Sequence, residues 1–280
     1  MTLRPLAIAA LLLVGTAAQA WNASGHMVIA AIAKANLTPS TRLAVDRLLQ
    51  STAMNSSTDF VAVASWADEV RNQRKETGPW HFRDTYFRTD GKPAVNKPDA
   101  DNAVVEILRF EKILGDKAAP APERADALRF LIHLVGDLHQ PLHASALESE
   151  SHPKGDRGGN DYKIVSSDEK GPKNLHQLWD GGAGLFVNAG ETTPIAAEAE
   201  ARALMATIPA SSLRGVNDLD VEHWSNESVS ASKKTVYSTP EGGTPSDAYM
   251  MKARTLAAQR ATLAGYRLAR LLNGLLGDEK

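Results

Sequence analysis

Between residues 128 and 143 the chain reads Leu-Arg-Phe-Leu-Ile-His-Leu-Val-Gly-Asp-Leu-His-Gln-Pro-Leu-His, an apolar run broken by groups that bind metal ions. A helix here carries His133 and Asp137 on neighbouring turns of one face, where both reach a single cation. Pro141 removes a backbone donor, ends or kinks that helix, and re-aims His143. Imidazole, carboxylate and imidazole converging within eleven residues suit a hydrolytic zinc site. Each taken singly reads as a satisfied core residue. Together they point to a shared cation, because Asp and His are costly to bury without a partner. His139 lies two residues past Asp137, turned from the metal face by roughly 200°, and reads as a core or supporting group and not a ligand.

Other donors are scattered along the chain. The break at Gly78-Pro79 delivers Trp80-His81-Phe82-Arg83-Asp84 on an extended or loop segment. For His81, ligation and a packing role with a hydrogen bond stand about equal. Asp68, in Ser65-Trp66-Ala67-Asp68-Glu69, reads by itself equally well as a solvated charge. Asn174-Leu175-His176-Gln177-Leu178-Trp179-Asp180 repeats the four-residue His/Asp spacing on a second, short helix. Gly158-Gly159-Asn160 is a turn or a place of close backbone approach to a ligand. His152 and His223 fit no cluster and read as surface or capping residues.

The elements that must position these groups are mostly helical. Residues 1–20 read as a secretory signal peptide, with Arg4, an apolar run over 6–14 and Ala18-Gln19-Ala20 as the cleavage site. The run is too short to span a bilayer, and no later segment has the length. The expected product is secreted or periplasmic, soluble, without a membrane anchor, and begins at Trp21. A free α-amino group has a pKa of about 7.7–8.0, so zinc can displace its proton near neutrality and chelate the carbonyl as well. A frayed terminus is the competing reading. His26 follows five residues later, at the start of a helix.

Residues 21–280 suffice for one single-core domain, and no linker or repeat divides them. The stretches 92–101 and 149–160 read as loops within it. Thr38-Pro39 and Thr193-Pro194 each open a helix with a cap and Pro in the first turn. Further helices are expected over 26–36, 59–75, 101–114, 123–140, 221–230 and 246–276, and the best strand candidate is 162–165. There is no cysteine, which removes disulfides and thiolate zinc sites and leaves nitrogen and oxygen donors. The net charge is −2, and −3 once the leader takes Arg4 away. Composition alone therefore carries no nucleic-acid signature.

Five histidines, three aspartates and one free terminus exceed the needs of one zinc and suit three. At this point the residues resemble a family. The terminal Trp, the His five residues on, Ser-Trp-Ala-Asp, Trp-His-Phe, His-Leu-Val-Gly-Asp-Leu-His-Gln-Pro-Leu-His, Gly-Gly-Asn and Asn-Leu-His-Gln-Leu-Trp-Asp are similar to the zinc-dependent type I nucleases. These are the single-strand nucleases and 3′-nucleotidases of fungi, plants and bacteria. The motifs run in order from Trp21 to Asp180, and Gly265-Tyr266-Arg267-Leu268-Ala269 resembles the family's C-terminal helix.

The resemblance implies a mainly α, single-domain fold of the phospholipase C/nuclease type around a trinuclear zinc cluster, with at most a short β-hairpin. It implies that Asp68, His81, His133 and Asp137 hold one zinc. The Trp21 amine and carbonyl, His26 and a bridging Asp137 would hold a second, and His143, His176 and Asp180 a third. The implied catalytic residues are Asp68, Arg71 and Asp137: two ions share a hydroxide that attacks phosphorus in line, while Arg71 reaches a phosphate oxygen. Phe82 would stack on a base, with Asp84 and Asn160 on its edge. The implied enzyme is a monomer acting on single-stranded DNA and RNA and on mononucleotide 3′-phosphates, releasing 5′-nucleotides.

Two alternatives differ in class. Zinc-dependent phospholipase C proteins share the three-zinc architecture, but their first His lies further from the Trp and the residue paired with the later His is Glu. The five-residue spacing and Asp180 favour the nuclease. A periplasmic zinc carrier would expose His-rich tracts, and none occurs. One departure stands out: fungal and plant members carry disulfides, so the loops here must be held differently.

Overall fold

The computed structural model describes residues 21–52, 57–186 and 192–277; the expected signal peptide lies outside them. Nine α-helices are found among the described residues: α1 (Ala23–Ala35), α2 (Pro39–Gln50), α3 (Trp66–Val70), α4 (Ala103–Gly115), α5 (Ala121–His139), α6 (Leu175–Asp180), α7 (Pro194–Thr207), α8 (Val221–Lys234) and α9 (Asp247–Leu276). The fold is mainly α, as expected. No helix is long and apolar enough to cross a membrane.

Capping explains most of the starts. Thr38 and Thr193 accept from the backbone N–H three residues on, each with Pro in the first turn. Asn22, Asn102, Asn174, Asp220 and Ser246 cap α1, α4, α6, α8 and α9 in the same manner. The end of α5 follows from Pro141: Gln140, the residue before it, is extended at φ −77°, ψ 116°. A 3-10 turn over Pro141–His143 then carries His143 back toward the site.

From residue 127 onward, α5 is buried on every face. It packs against α4, α2, α9, α8 and α1, so a helix that is apolar all round has neighbours all round. Two apolar cores meet at this helix and its partners. One includes Leu49, Trp80, Ile107, Phe110, Phe130 and Leu272. The other includes Trp21, Ile29, Leu142, Leu175, Trp179 and Tyr266. α1 contributes Ala30 and Ala33 to the first and Ile29 and Ile32 to the second, so the donors on α1 and α5 lie along the seam.

Three expectations change. The helix expected over 59–75 is divided into a 3-10 turn, Ala62–Ser65, and the short α3. This frees the Ala64 carbonyl to accept from His133. His81 ends a 3-10 turn (Lys75–His81) instead of lying on a loop, and Phe82 is the first extended residue. The strand content stays within the expected limit of a short hairpin, but the two strands are parallel, β1 (Thr85–Phe87) with β2 (Ser145–Leu147). The 162–165 stretch makes only a single antiparallel bridge, Lys163 with Asn174. Parallel strands sixty residues apart need a long connection, and here α4 and α5 supply it.

Candidate metal centre

Asp137 is the hub. Buried among apolar helices, its carboxylate faces three imidazoles: Oδ1 lies 3.2 Å from His26 Nε2, and Oδ2 lies 3.0 Å from His81 Nδ1 and 3.3 Å from His133 Nε2. Burial opposes its charge, but His133, His26 and His81 prevail and hold its pKa well below the usual carboxylate range. The other carboxylate, Asp68, stands 3.8 Å from both His81 and His133. The residues that chemistry would group therefore do meet: His26, Asp68 and His133; His81, His133 and Asp137; His143, His176 and Asp180. Within each group the potential ligand atoms lie within 4.8 Å of one another.

Three features of these groups fit a cation. First, ring nitrogens face each other directly: His81 Nδ1 is 3.1 Å from His133 Nε2, and His143 Nε2 is 3.2 Å from His176 Nε2. Two tetrahedral Zn–N bonds of about 2.0–2.1 Å place their nitrogens roughly 3.3–3.4 Å apart. Second, the opposite nitrogens are anchored. His133, His143 and His176 each donate from Nδ1 to a backbone carbonyl, of Ala64 (2.6 Å), His81 (2.7 Å) and Gly158 (2.6 Å) respectively. That fixes the tautomer and leaves Nε2 as a lone-pair donor. Third, buried ring nitrogens lack a hydrogen bond, among them His26 Nδ1 and His81 Nε2, and such atoms are costly unless something pairs with them.

The electrostatics agree. Burial disfavours a charged His133, yet Asp137 and Asp68 outweigh it and lift its pKa to about 9, so these carboxylates favour a positive charge at its Nε2, a proton or a metal ion that displaces it. Burial lowers His26, with His133 adding to the effect. Burial also drops His143 to about 3, so these two rings are neutral and able to ligate. Burial pushes Asp180 well above the carboxylate range, and a hydrogen bond from Gln140 works against that shift.

The Trp21 end is pinned between the clusters. Its indole N–H donates to the Gly136 carbonyl at 2.9 Å, its ring meets Phe186 edge-on, and the Asn22 N–H donates to the Asp180 carbonyl at 2.8 Å. Arg71 sits beside Asp68, Nη1 to Oδ1 3.8 Å. Phe82 is extended and half-buried. Asp84 lacks a hydrogen bond or ion pair among the described residues; burial, with Asp156 and Asp99 adding, raises it to about 7, and Arg157 opposes. The Asn160 side chain donates to the Arg157 carbonyl at 2.8 Å. His139 stays outside the cluster as expected, held by the Val135 carbonyl and by Arg267. His152 pairs with Glu241 and His223 with Asp218 at the surface.

The expected turn at Gly158-Gly159 is present, and two supporting residues, Asp156 and Gly136, escaped the sequence reading. Gly158 and Gly159 have φ of +59° and +79°, and a Cβ on Gly158 would lie 2.4 Å from the Leu142 carbonyl oxygen. The close approach is thus to the chain's own Pro141–His143 turn. Asp156 latches the same loop, accepting from the Leu147 N–H and the Tyr237 hydroxyl. Gly136 is the clearest omission: a Cβ there would stand 3.1 Å from His26 Nδ1, and His26 is stacked on His133 at 3.8 Å. A glycine inside a buried helix, about 1 kcal/mol worse than Ala, was the available signal. Gly136→Ala is expected to lower activity by about 10-fold or more, the usual scale for disturbed support of a ligand, while the melting temperature holds. Unchanged turnover would show that His26 can give way.

Comparison with known proteins bears on the same residues. The profile of the S1/P1 Nuclease family matches residues 21–277. The chain is similar to Endonuclease 4 of Arabidopsis thaliana, 27% identical over 92% of this chain and 90% of that one. It is also similar to Nuclease S1 of Aspergillus oryzae, 30% identical over 57% of this chain and 53% of the relative. Nuclease P1 of Penicillium citrinum is 29% identical over 57% of each chain.

Proposed function

The chain belongs to the S1/P1 nuclease family, and from that premise we propose an exported, three-zinc nuclease that cuts single-stranded DNA and RNA to 5′-nucleotides and also acts as a 3′-nucleotidase. Family membership makes it a hydrolase of phosphodiester bonds with nucleic acid as substrate. The family is metal-dependent. The observation that carries the finer reading is the set of facing, backbone-anchored imidazoles around Asp137 and Asp180.

In this reading Asp68, His81, His133 and Asp137 hold one ion. Trp21 (amine and carbonyl), His26 and Asp137 hold the second, and His143, His176 and Asp180 the third. Bound there, zinc supplies a Lewis acid that activates water and neutralises charge on the phosphate. The protein's own contribution is placement. The two oxygens of Asp137 face different histidines, which suits a bridging carboxylate. Arg71 is oriented by Asp68 at the edge of the cluster and is within reach of a phosphate oxygen. Phe82 offers a face on which any base stacks, while Asp84 and Asn160 offer hydrogen bonds to its edge. An unpaired strand exposes those faces and a duplex hides them, which is the basis of single-strand preference. Export with cleavage before Trp21 is consistent with the family match beginning at that residue.

The test is zinc quantification on protein starting at Trp21, with matched single- and double-stranded substrates and a phosphatidylcholine analogue. Three zinc ions and faster cleavage of single strands are expected. Turnover of the lipid and not of DNA would replace this reading with a phospholipase. For the base pocket, Phe82→Ala combined with Asp84→Ala should raise KM and leave zinc content unchanged. Stacking contributes roughly 1–3 kcal/mol per base, so KM should rise at least several-fold. Loss of zinc with intact binding would assign these residues to metal support.

A further inference from the structure

Gln140 is buried between the end of α5 and the start of the Pro141–His143 turn. Both ends of its carboxamide are used. Oε1 accepts from the Leu142 N–H at 2.7 Å, which settles the orientation of the amide, and Nε2 then donates to Asp180 Oδ1 at 2.8 Å. That same oxygen lies 3.6 Å from His176 Nε2. α6 is only six residues long, so its own turn does little to hold the Asp180 side chain. A donor from another element is what aims it.

We propose that Gln140 is a positioning residue for the His143–His176–Asp180 site: it orients the Asp180 carboxylate toward the ion and couples that site to the helix carrying Asp137. The inference rests on the metal-binding reading above and goes beyond its ligand set. The coupling is short. Gln140 is three positions past Asp137, and the Gln140 N–H donates to the Asp137 carbonyl at 2.9 Å. A shift at the end of α5 therefore moves the Asp180 donor, the His143 turn and the Asp137 hub together. Outer partners of metal ligands are typically responsible for a 10–100-fold difference in metal affinity, and Gln140 makes such a contact from a fully buried position.

The experiment is a double-mutant cycle on the holoprotein, with Gln140→Met, Asp180→Ala and both together, read by zinc stoichiometry and by chelator competition. Gln140→Met should weaken one ion of three by about 10–100-fold and leave the other two in place. In the Asp180→Ala background it should add little, because the carboxylate through which Gln140 acts is gone. An equal loss in both backgrounds, or all three ions weakened alike, overturns the proposal, since a merely structural residue would act in that way. Wild-type protein supplies a second measurement if Gln140→Met is too unstable to purify. By nitrogen-15 NMR, the Gln140 side-chain NH2 should be slow to exchange and should shift as the last ion is titrated in. An NH2 signal indifferent to that ion also overturns the proposal. Parent protein that holds no ion dependent on Asp180 would overturn the metal reading itself; a parent with that ion, unaffected by Gln140→Met, overturns only the role of Gln140.

Discussion

Asp137→Asn is expected to remove nearly all turnover and to release zinc from two sites at once. The exchange is isosteric, so packing around a fully buried side chain is preserved, but the negative charge that faces His26, His81 and His133 is lost. The two oxygens cease to be equivalent, and the new NH2 group turns a donor toward one of the ring nitrogens or its ion. Partners that merely support a ligand already account for 10–100-fold, so if Asp137 serves two ions, as proposed, its loss should exceed about 100-fold in activity. Thermal denaturation gives an independent readout. An ion that binds only the folded chain stabilises it, so a chelator should lower the melting temperature of wild-type protein and have much less effect on the variant. Near-normal turnover with three zinc ions retained would sink the assignment of Asp137 as a bridge.

The second large effect concerns the terminus. Protein with one residue before Trp21 should be nearly inactive, whereas a C-terminal tag should be harmless. The indole of Trp21 is held by Gly136, its ring by Phe186, and the next peptide by Asp180. An extra residue therefore leaves the local packing intact and alters one group, turning the amine into an amide nitrogen, a poor donor to zinc at neutral pH. On the proposed ligand set, His26 and Asp137 would be left to hold that ion without the Trp21 chelate, and the Lewis acidity it would supply to the reaction would be lost. A loss of at least about 10-fold, the lower range for a disturbed metal site, should accompany loss of about one zinc. Export would then be the activating step, keeping uncleaved precursor nearly inert toward RNA inside the cell. The comparison is protein starting at Trp21, protein starting Met-Trp21, and protein with the C-terminal tag. Equal zinc and equal specific activity in all three would make the terminus a bystander.

What could be read along the chain was whatever depends on neighbours a few residues apart. The helical spacing of His133 with Asp137 and of His176 with Asp180, the caps at Thr38 and Thr193, and the stop imposed by Pro141 all follow from local geometry. The mainly α fold follows from the same periodicities. Tertiary structure decided the rest. Asp68 by itself reads equally well as a ligand or a solvated charge, and it is α3 packing on α5 that brings it to His81 and His133. Gly136 has a role only because α1 presses His26 against it. Gln140 carries no role in the sequence, and gains one only where α6 places Asp180 within its reach. The three-residue strands 85–87 and 145–147 are too short to show a period of two, and the partner of each lies sixty residues away. The 162–165 stretch has strand-like composition but finds only one bridging residue. Sequence spacing sets which side chains share a face of one helix. Which faces meet is settled by how the two apolar cores close around α5, and the His and Asp side chains that could hold metal ions converge where those cores join.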